Sequence, residues 1–257
     1  MRSSSPVPVE FDASGVFETC RVQGGRVLHF EEHLARLRAS MKTVNIGTGY
    51  RNGTRYRGLL QAAAREMKEG YLRIAVRRRG APRVLIHRSP GLPYSGKQLS
   101  EGIALRTVPS RWPAGETGWA QVKSSERLGG VLARLEAPEA AEVLRLGPHG
   151  FVTEGTVSNL FFIREGELVT APAWAGILEG VTRSRVIRAA GKLRLAVREI
   201  PFTRHDLFNA EEAFLTNVLM GILPVRQVDG RRIGEKTPGP MTRKLMRALR
   251  QAQGDRP

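Results

Sequence analysis

A single cysteine, Cys20, in 257 residues excludes an internal disulfide framework and fits a reducing compartment. No uninterrupted apolar run approaches the ~20 residues of a membrane span. The opening MRSSSPVPVEFDASG has one basic residue and no apolar stretch, so no secretory signal is expected there. Internal repeats, low-complexity tracts and long linkers are also missing. What remains is a chain with 41% hydrophobic residues, long enough for one or two domains with real cores. The expectation is a soluble, cytoplasmic, globular protein without a membrane partner.

Lysine is scarce too. With only seven lysines, arginine supplies 34 of the 41 basic residues, which against 24 acidic ones leave a formal net charge of +17. Such an excess can mark a nucleic-acid surface. Here the arginines spread over the whole chain, with Arg77-Arg78-Arg79 as a dense run. No zinc-finger spacing, RNP-type aromatic motif or basic helix with heptads accompanies them. Solvated arginine faces are therefore the favoured reading, and the positive potential suits an anionic small-molecule substrate.

Val16 to Val22 followed by Gly24-Gly25 predicts a strand and a tight turn into a second short strand. Leu34, Leu37 and Met41 give Glu31–Met41 an apolar helix face, and Leu59, Ala63 and Met67 do the same for Thr54–Glu69. Tyr71–Arg79, Val84–His87 and Ile103–Val108 read as strands. The segment 109–119, with two prolines and two glycines, is the candidate interdomain loop between a small lobe at 1–108 and a larger one at 120–257. Beyond it, helices are expected at Arg127–Ala137, from Thr182, and at Pro240–Gln251. Strands are expected at Glu142–Leu146, Phe151–Thr153, Asn159–Ile163, Glu167–Thr170, Leu195–Ile200 and Ala213–Leu215. The mixture predicts an α+β or α/β protein of two lobes with a cleft between them, a favoured place for a cofactor.

Four segments carry residue types suited to chemistry, and each has an ordinary structural reading beside it. Lys123 lies between apolar Val122 and the cation Arg127, which together disfavour its ammonium form and suit a covalent amine. A surface lysine fits the same letters. Glu154, in Phe151-Val152-Thr153-Glu154-Gly155-Thr156, can point an acid into a cleft while Gly155 leaves room for a planar ligand. A turn with an exposed glutamate is the plainer account. Gly176-Ile177-Leu178-Glu179-Gly180-Val181-Thr182-Arg183 offers free N–H groups, a hydroxyl and a helix N-terminus to a phosphate, or simply a capped helix start. His33 and Arg36 lie one turn apart on one helix face, where a guanidinium can clamp a phosphate or face water.

In this order and spacing the segments resemble the fold-type IV, class IV aminotransferases. That family includes branched-chain and D-amino acid transaminases and 4-amino-4-deoxychorismate lyase. The resemblance runs from Val16 to about Val228, through VFETCRV, HLARLRAS, VKSSERL, VTEGTVSNLFF, GILEGVTR and FLTNVLMGILPV at 214–225. It implies a two-lobed D-amino acid aminotransferase-like fold, a homodimer and the cofactor pyridoxal 5′-phosphate (PLP), with no metal. Lys123 falls on the family's Schiff-base lysine, which also acts as the catalytic base. Glu154 falls on the acid that pairs with the pyridine nitrogen, and Arg36 on the phosphate-clamping arginine. Val181 and Thr182 give the helix N-terminal contacts, Thr216 a further hydroxyl, and His33 is a looser match. Two departures bear on the dimer contact and the substrate pocket: a short approach, Phe11 to Gly15, precedes the first strand, and Ser-Ser-Glu-Arg follows Lys123 where an asparagine often precedes the arginine.

Within the family, Leu215 to Val225 follows the lyase pattern, as do Phe17-Glu18-Thr19 and Arg21-Val22. D-amino acid transaminases carry an Arg-x-His pair, and no histidine stands two places after Arg83. The resemblance therefore favours 4-amino-4-deoxychorismate lyase, which eliminates pyruvate to give 4-aminobenzoate for folate synthesis. The alternative is a transaminase for branched-chain or other amino acids, and a non-catalytic nucleic-acid-binding protein is the remaining class. Arg83 and Arg111 are candidate partners for a substrate carboxylate, with solvated arginine the plainer reading of each.

Overall fold

The computed structural model describes residues 15–46, 53–77, 83–111, 119–124, 128–147 and 149–252. Its first sheet is built on strict alternation. Strand β1 (Gly15–Gln23) turns through Gly24 and Gly25, at φ 54° and 73°, into β2 (Arg26–Val27). It pairs antiparallel with β3 (Glu69–Arg77), which pairs with β4 (Arg83–Pro90), in the order β2-β1-β3-β4. The register sets Val16 opposite Val76, Glu18 opposite Ile74 and Cys20 opposite Leu72 on one face. Phe17 opposite Ala75 and Thr19 opposite Arg73 take the other. Helices α1 (Phe30–Thr43) and α2 (Gly53–Ala64) cover the first face, packing Leu34, Leu37, Tyr56 and Leu60 against Val16, Leu72 and Ile74.

The apolar stripe of α2 is shifted from the expected one. Tyr56, Leu60 and Ala64 are buried while Leu59 is 39% exposed. The helix also stops at Ala64 rather than Glu69, because Met67 N–H turns back onto Ala64 O at 2.8 Å and Glu69 already begins β3. Helical spacing alone does not say which of two adjacent apolar rows meets the sheet.

The second sheet comprises β5 (Ile103–Arg111), β6 (Glu142–Leu146), β7 (Val152–Gly155), β8 (Asn159–Arg164), β9 (Glu167–Thr170), β10 (Val197–Glu199), β11 (Glu212–Asn217), β12 (Gly221–Val228) and β13 (Arg231–Arg232). Strands β8-β11-β12-β5-β6-β7 run side by side, and the pairing of Glu154 with Asn159 closes β7 onto β8 as a six-stranded barrel. Strands β9 and β10 extend the sheet from β8, and β13 pairs with β12. Around it stand α3 (Gly96–Glu101), α4 (Leu128–Glu136), α5 (Val181–Lys192), α6 (Arg204–Phe208) and α7 (Pro240–Gln251). The run Leu160 to Ile163 is apolar throughout because both faces of β8 are covered. Leu160 and Phe162 join the core with Ile103, Leu144 and Leu215, and Phe161 and Ile163 pack with Val186 of α5 and Leu245 of α7.

Two expectations are corrected here. The chain leaves the first sheet at Pro90, and β5 is already a barrel strand between β12 and β6, so the lobes do not divide at 109–119. Conversely 120–124, expected in the larger lobe, returns to the first sheet. Val122 is part of that sheet's core, Val16 bridges Ser124, and Phe17 N–H donates to Lys123 O at 2.9 Å. Proline and glycine mark a loop but not the sheet that its flanking strand joins; residues 112–118 lie outside the described residues. The expected strands also omitted β12, where Pro224 argues against a central strand. It is accommodated because the β12–β5 ladder begins only at Val225 and shifts register before Gln227.

Candidate functional site

A cavity of about 560 Å³ lies between the first sheet and the barrel. Arg36, Lys123, Glu154, Val181, Thr182 and Thr216, the six residues matched from sequence, all line it, as does His33. They arrive from α1, the 119–124 segment, β7, α5 and β11.

Lys123 is seated by the first sheet. Its N–H donates to Ser40 Oγ at 3.2 Å, and its Nζ lies 4.9 Å from the centroid of the Phe17 ring. Arg127, the cation expected near it, lies outside the described residues.

Glu154, on β7, is 8% exposed. Its Oε1 accepts from Arg145 Nη2 at 2.5 Å, and its Oε2 accepts from Asn159 Nδ2 at 2.9 Å and Leu178 N–H at 3.0 Å. The Asn159 contact follows from register, since the two residues face each other across β7 and β8. Burial pushes the carboxyl up to about 7, against the pull of Arg145, Leu178 N–H and Lys123. The following glycine does not leave room for a planar ligand as expected: a Cβ on Gly155 would lie 2.2 Å from Ser158 Oγ, so the space serves the protein's own turn.

Arg36 is less open than a phosphate clamp read from sequence. Its Nε and Nη2 donate to the two oxygens of Glu18 at 2.7 and 2.8 Å, and Nη1 donates to Glu179 O at 3.0 Å. His33 Nδ1 lies 2.8 Å from the same carboxylate. Burial pushes Glu18 up, but the charges and hydrogen bonds of Arg36 and His33 outweigh it and hold it at about 2. What Arg36 still offers an anion is its end-on pair of Nη1 and Nη2 N–H groups.

Three further groups line the same cavity without a protein partner among the described residues, and two of them, the helix start and a hydroxyl, are donors suited to an anion. Helix α5 begins at Val181 with Gly180 as N-cap and no side-chain cap. A Cβ on Gly180 would lie 2.2 Å from Asn159 Oδ1, so glycine is what lets the helix start this close to the barrel. Thr216 Oγ1 and His33 Nε2 are buried without a hydrogen-bond partner among the described residues.

Residues 15–228 match the family model for amino-transferase class IV. The chain belongs to the class IV aminotransferase family. A Methanocaldococcus jannaschii protein, provisionally named a branched-chain-amino-acid aminotransferase, is 34% identical over 245 residues, 90% of this chain and 84% of its own. The crystal structure of 4-amino-4-deoxychorismate lyase from Pseudomonas aeruginosa superposes with a TM-score of 0.84 at 29% identity, covering 97% of this chain and 96% of that one. A T.th. branched-chain amino acid aminotransferase, complexed with N-(5′-phosphopyridoxyl)-L-glutamate, gives a TM-score of 0.83 at 26% identity over 95% and 87% of the two chains.

Class IV aminotransferases are PLP-dependent enzymes of fold-type IV, and the cavity fits that cofactor. An uncapped helix N-terminus, an orphaned threonine hydroxyl and the free end of a guanidinium suit the phosphate. A buried carboxylate and a lysine amine line the same space.

Three residues escaped the sequence reading. Arg73 faces the cavity opposite Thr19, with its guanidinium carbon 5.4 Å from the Phe17 centroid. Burial lowers its pKa, and it has no ion pair among the described residues. The alternation in Tyr71-Leu72-Arg73-Ile74-Ala75 carried that signal, since β3 buries Leu72 and Ile74 on the opposite face. Glu18 stood in a quoted motif without a role. Arg145 gave no signal, because an arginine in a strand reads as solvent-facing. The side chains of Arg83 and Arg111 lie outside the described residues.

Proposed function

We propose that this enzyme is a 4-amino-4-deoxychorismate lyase, with Lys123 as its catalytic amine and Arg36, Glu154, Val181, Thr182 and Thr216 completing the cofactor site. The observation that carries the reading is Arg73, a half-buried guanidinium on the cavity wall without a carboxylate partner among the described residues. The lyase substrate brings two carboxylates to such a wall. Near-complete mutual coverage with the Pseudomonas aeruginosa lyase supports the same choice.

Bound PLP supplies an electron-accepting ring. Lys123 Nζ would hold the cofactor's aldehyde and would serve as the base that takes the proton from the substrate carbon bearing the amine. Glu154 keeps the ring nitrogen protonated. The α5 N-terminus, Thr216 Oγ1 and the end of Arg36 hold the phosphate. The C–O bond to the side chain would break as that proton is lost; the departing enolpyruvate takes up one proton to become pyruvate, and the ring left behind is aromatic 4-aminobenzoate.

A second reading has its own observation. Ile103, Val157, Leu215, Met220 and Leu223 make an apolar wall in the same cavity, which suits a transaminase for branched-chain amino acids. Supplying aminodeoxychorismate and measuring pyruvate and 4-aminobenzoate separates the two. Equimolar release of both is the expected result, whereas keto-acid-dependent amine transfer with neither product would replace the lyase by the transaminase.

Thr216→Val tests the phosphate site separately. The hydroxyl has no partner among the described residues, so the thermal midpoint of the cofactor-free protein is expected to hold or rise slightly. The Kd for PLP, by equilibrium dialysis, is expected to rise about 10-fold, the worth of one hydrogen bond to a charged group. An unchanged Kd would take Thr216 out of the site.

The proposal includes a homodimer, supported by the exposed apolar residues Val131, Leu132 and Leu135 on α4, whose Arg134 lines the cavity. It also includes a cytoplasmic role in folate synthesis. Among the described residues no helix is long and apolar enough to cross a membrane.

A further inference from the structure

We infer that Arg145 is a positioning residue that acts through Glu154: from β6 its guanidinium fixes the carboxylate and limits how tightly that carboxylate holds a proton at the cavity wall. The inference rests on the proposed site and adds to it a residue that does not itself line the cavity.

Arg145 is the fourth residue of β6, a strand buried along its whole length, and is 6% exposed. A guanidinium there requires a counter-charge, and Glu154 Oε1 provides it at 2.5 Å. The neighbouring strand locks the arrangement, since Thr153 Oγ1 donates to Arg145 O at 3.0 Å. A carboxylate has about four acceptor positions, two on each oxygen. Asn159 Nδ2 and Leu178 N–H fill both on Oε2. Arg145 fills one on Oε1, so the position left for a ring N–H is on the oxygen that already carries the guanidinium. Two cations on one oxygen compete, and the fixed one lowers the proton affinity of the pair. The other charged groups acting on Glu154 are Lys123, which opposes protonation, and Glu142, which favours it.

The test compares Arg145→Met, which removes the charge, with Arg145→Lys, which keeps it. The first readout needs no cofactor: the infrared band of the protonated Glu154 carboxyl is followed against pH and assigned by its disappearance in Glu154→Gln. The midpoint is expected near 7 in the parent protein. It should stay within about half a pH unit of that in Arg145→Lys and move up by more than about one unit in Arg145→Met. The second readout is the pH titration of bound PLP absorbance, which should move in the same direction. Arg145→Gln substitutes should Arg145→Met fail to fold. An unmoved midpoint in the charge-removing variant overturns the inference while leaving Glu154 in place. A PLP titration indifferent to Glu154→Gln instead overturns the site reading beneath it.

Discussion

Lys123→Ala is expected to lower turnover on the order of 10⁴-fold while leaving the thermal midpoint of the cofactor-free protein nearly unchanged. The two halves of the expectation come from different atoms of one residue. What fixes the segment in place is backbone: Lys123 O accepts from Phe17 N–H, Lys123 N–H donates to Ser40 Oγ, and Val122 is packed into the first sheet's core. All of that survives truncation at Cβ. Truncation does remove Nζ from over the Phe17 ring, an interaction worth about 0.5–1 kcal/mol at a partly exposed position. The chemical loss is larger because two functions sit on the same nitrogen. General-base catalysis alone contributes ~10²–10⁴-fold, and the covalent hold on the cofactor disappears with it. Dialysis should therefore strip PLP from the variant but not from the parent, and added small amines should restore part of the rate. Product formation within about tenfold of the parent would place the essential amine elsewhere.

The parts legible in the sequence are those set by short-range spacing. The glycine pair after Val22 placed β1, and period-two alternation placed β3 and already fixed Arg73 on the face opposite Leu72 and Ile74. The order of motifs placed six residues that the fold gathers from five elements into one cavity. What stayed hidden depends on partners distant along the chain. Arg36 reads as a free clamp, yet its guanidinium is held by Glu18, 18 positions away, and by Glu179, 143 positions away. Residues 103–111 alternate equally well for either sheet, and only the barrel's closure through β12 and β6 decides between them. Arg145 is invisible for the same reason: its burial makes sense only once Glu154 is known to stand beside it on β7.

Glu154→Gln is the second large expected effect, a fall in kcat on the order of 10²–10³-fold with the cofactor still bound, comparable to removing one preorganised charge-stabilising group from a dry site. An amide cannot reproduce the carboxylate's contacts. If its oxygen faces Asn159 Nδ2 and Leu178 N–H, its NH₂ faces the guanidinium of Arg145, and a charge-assisted hydrogen bond is replaced by two donors pointing at each other. Leaving buried donors without their acceptor costs about 1–3 kcal/mol, so the variant should also be less stable at neutral pH. The pH dependence separates this from general damage. Burial raises Glu154 from its ordinary 4.5 to about 7, so the folded state binds an extra proton between those values. Its contribution to stability is complete below about 4.5 and is lost as the pH rises through about 7. Urea denaturation of the cofactor-free protein across that window should show the decline in the parent and lose it in Glu154→Gln. A parallel decline in both proteins, or a kcat within about threefold of the parent, would mean that the carboxylate at the barrel's edge neither titrates there nor meets the ring nitrogen.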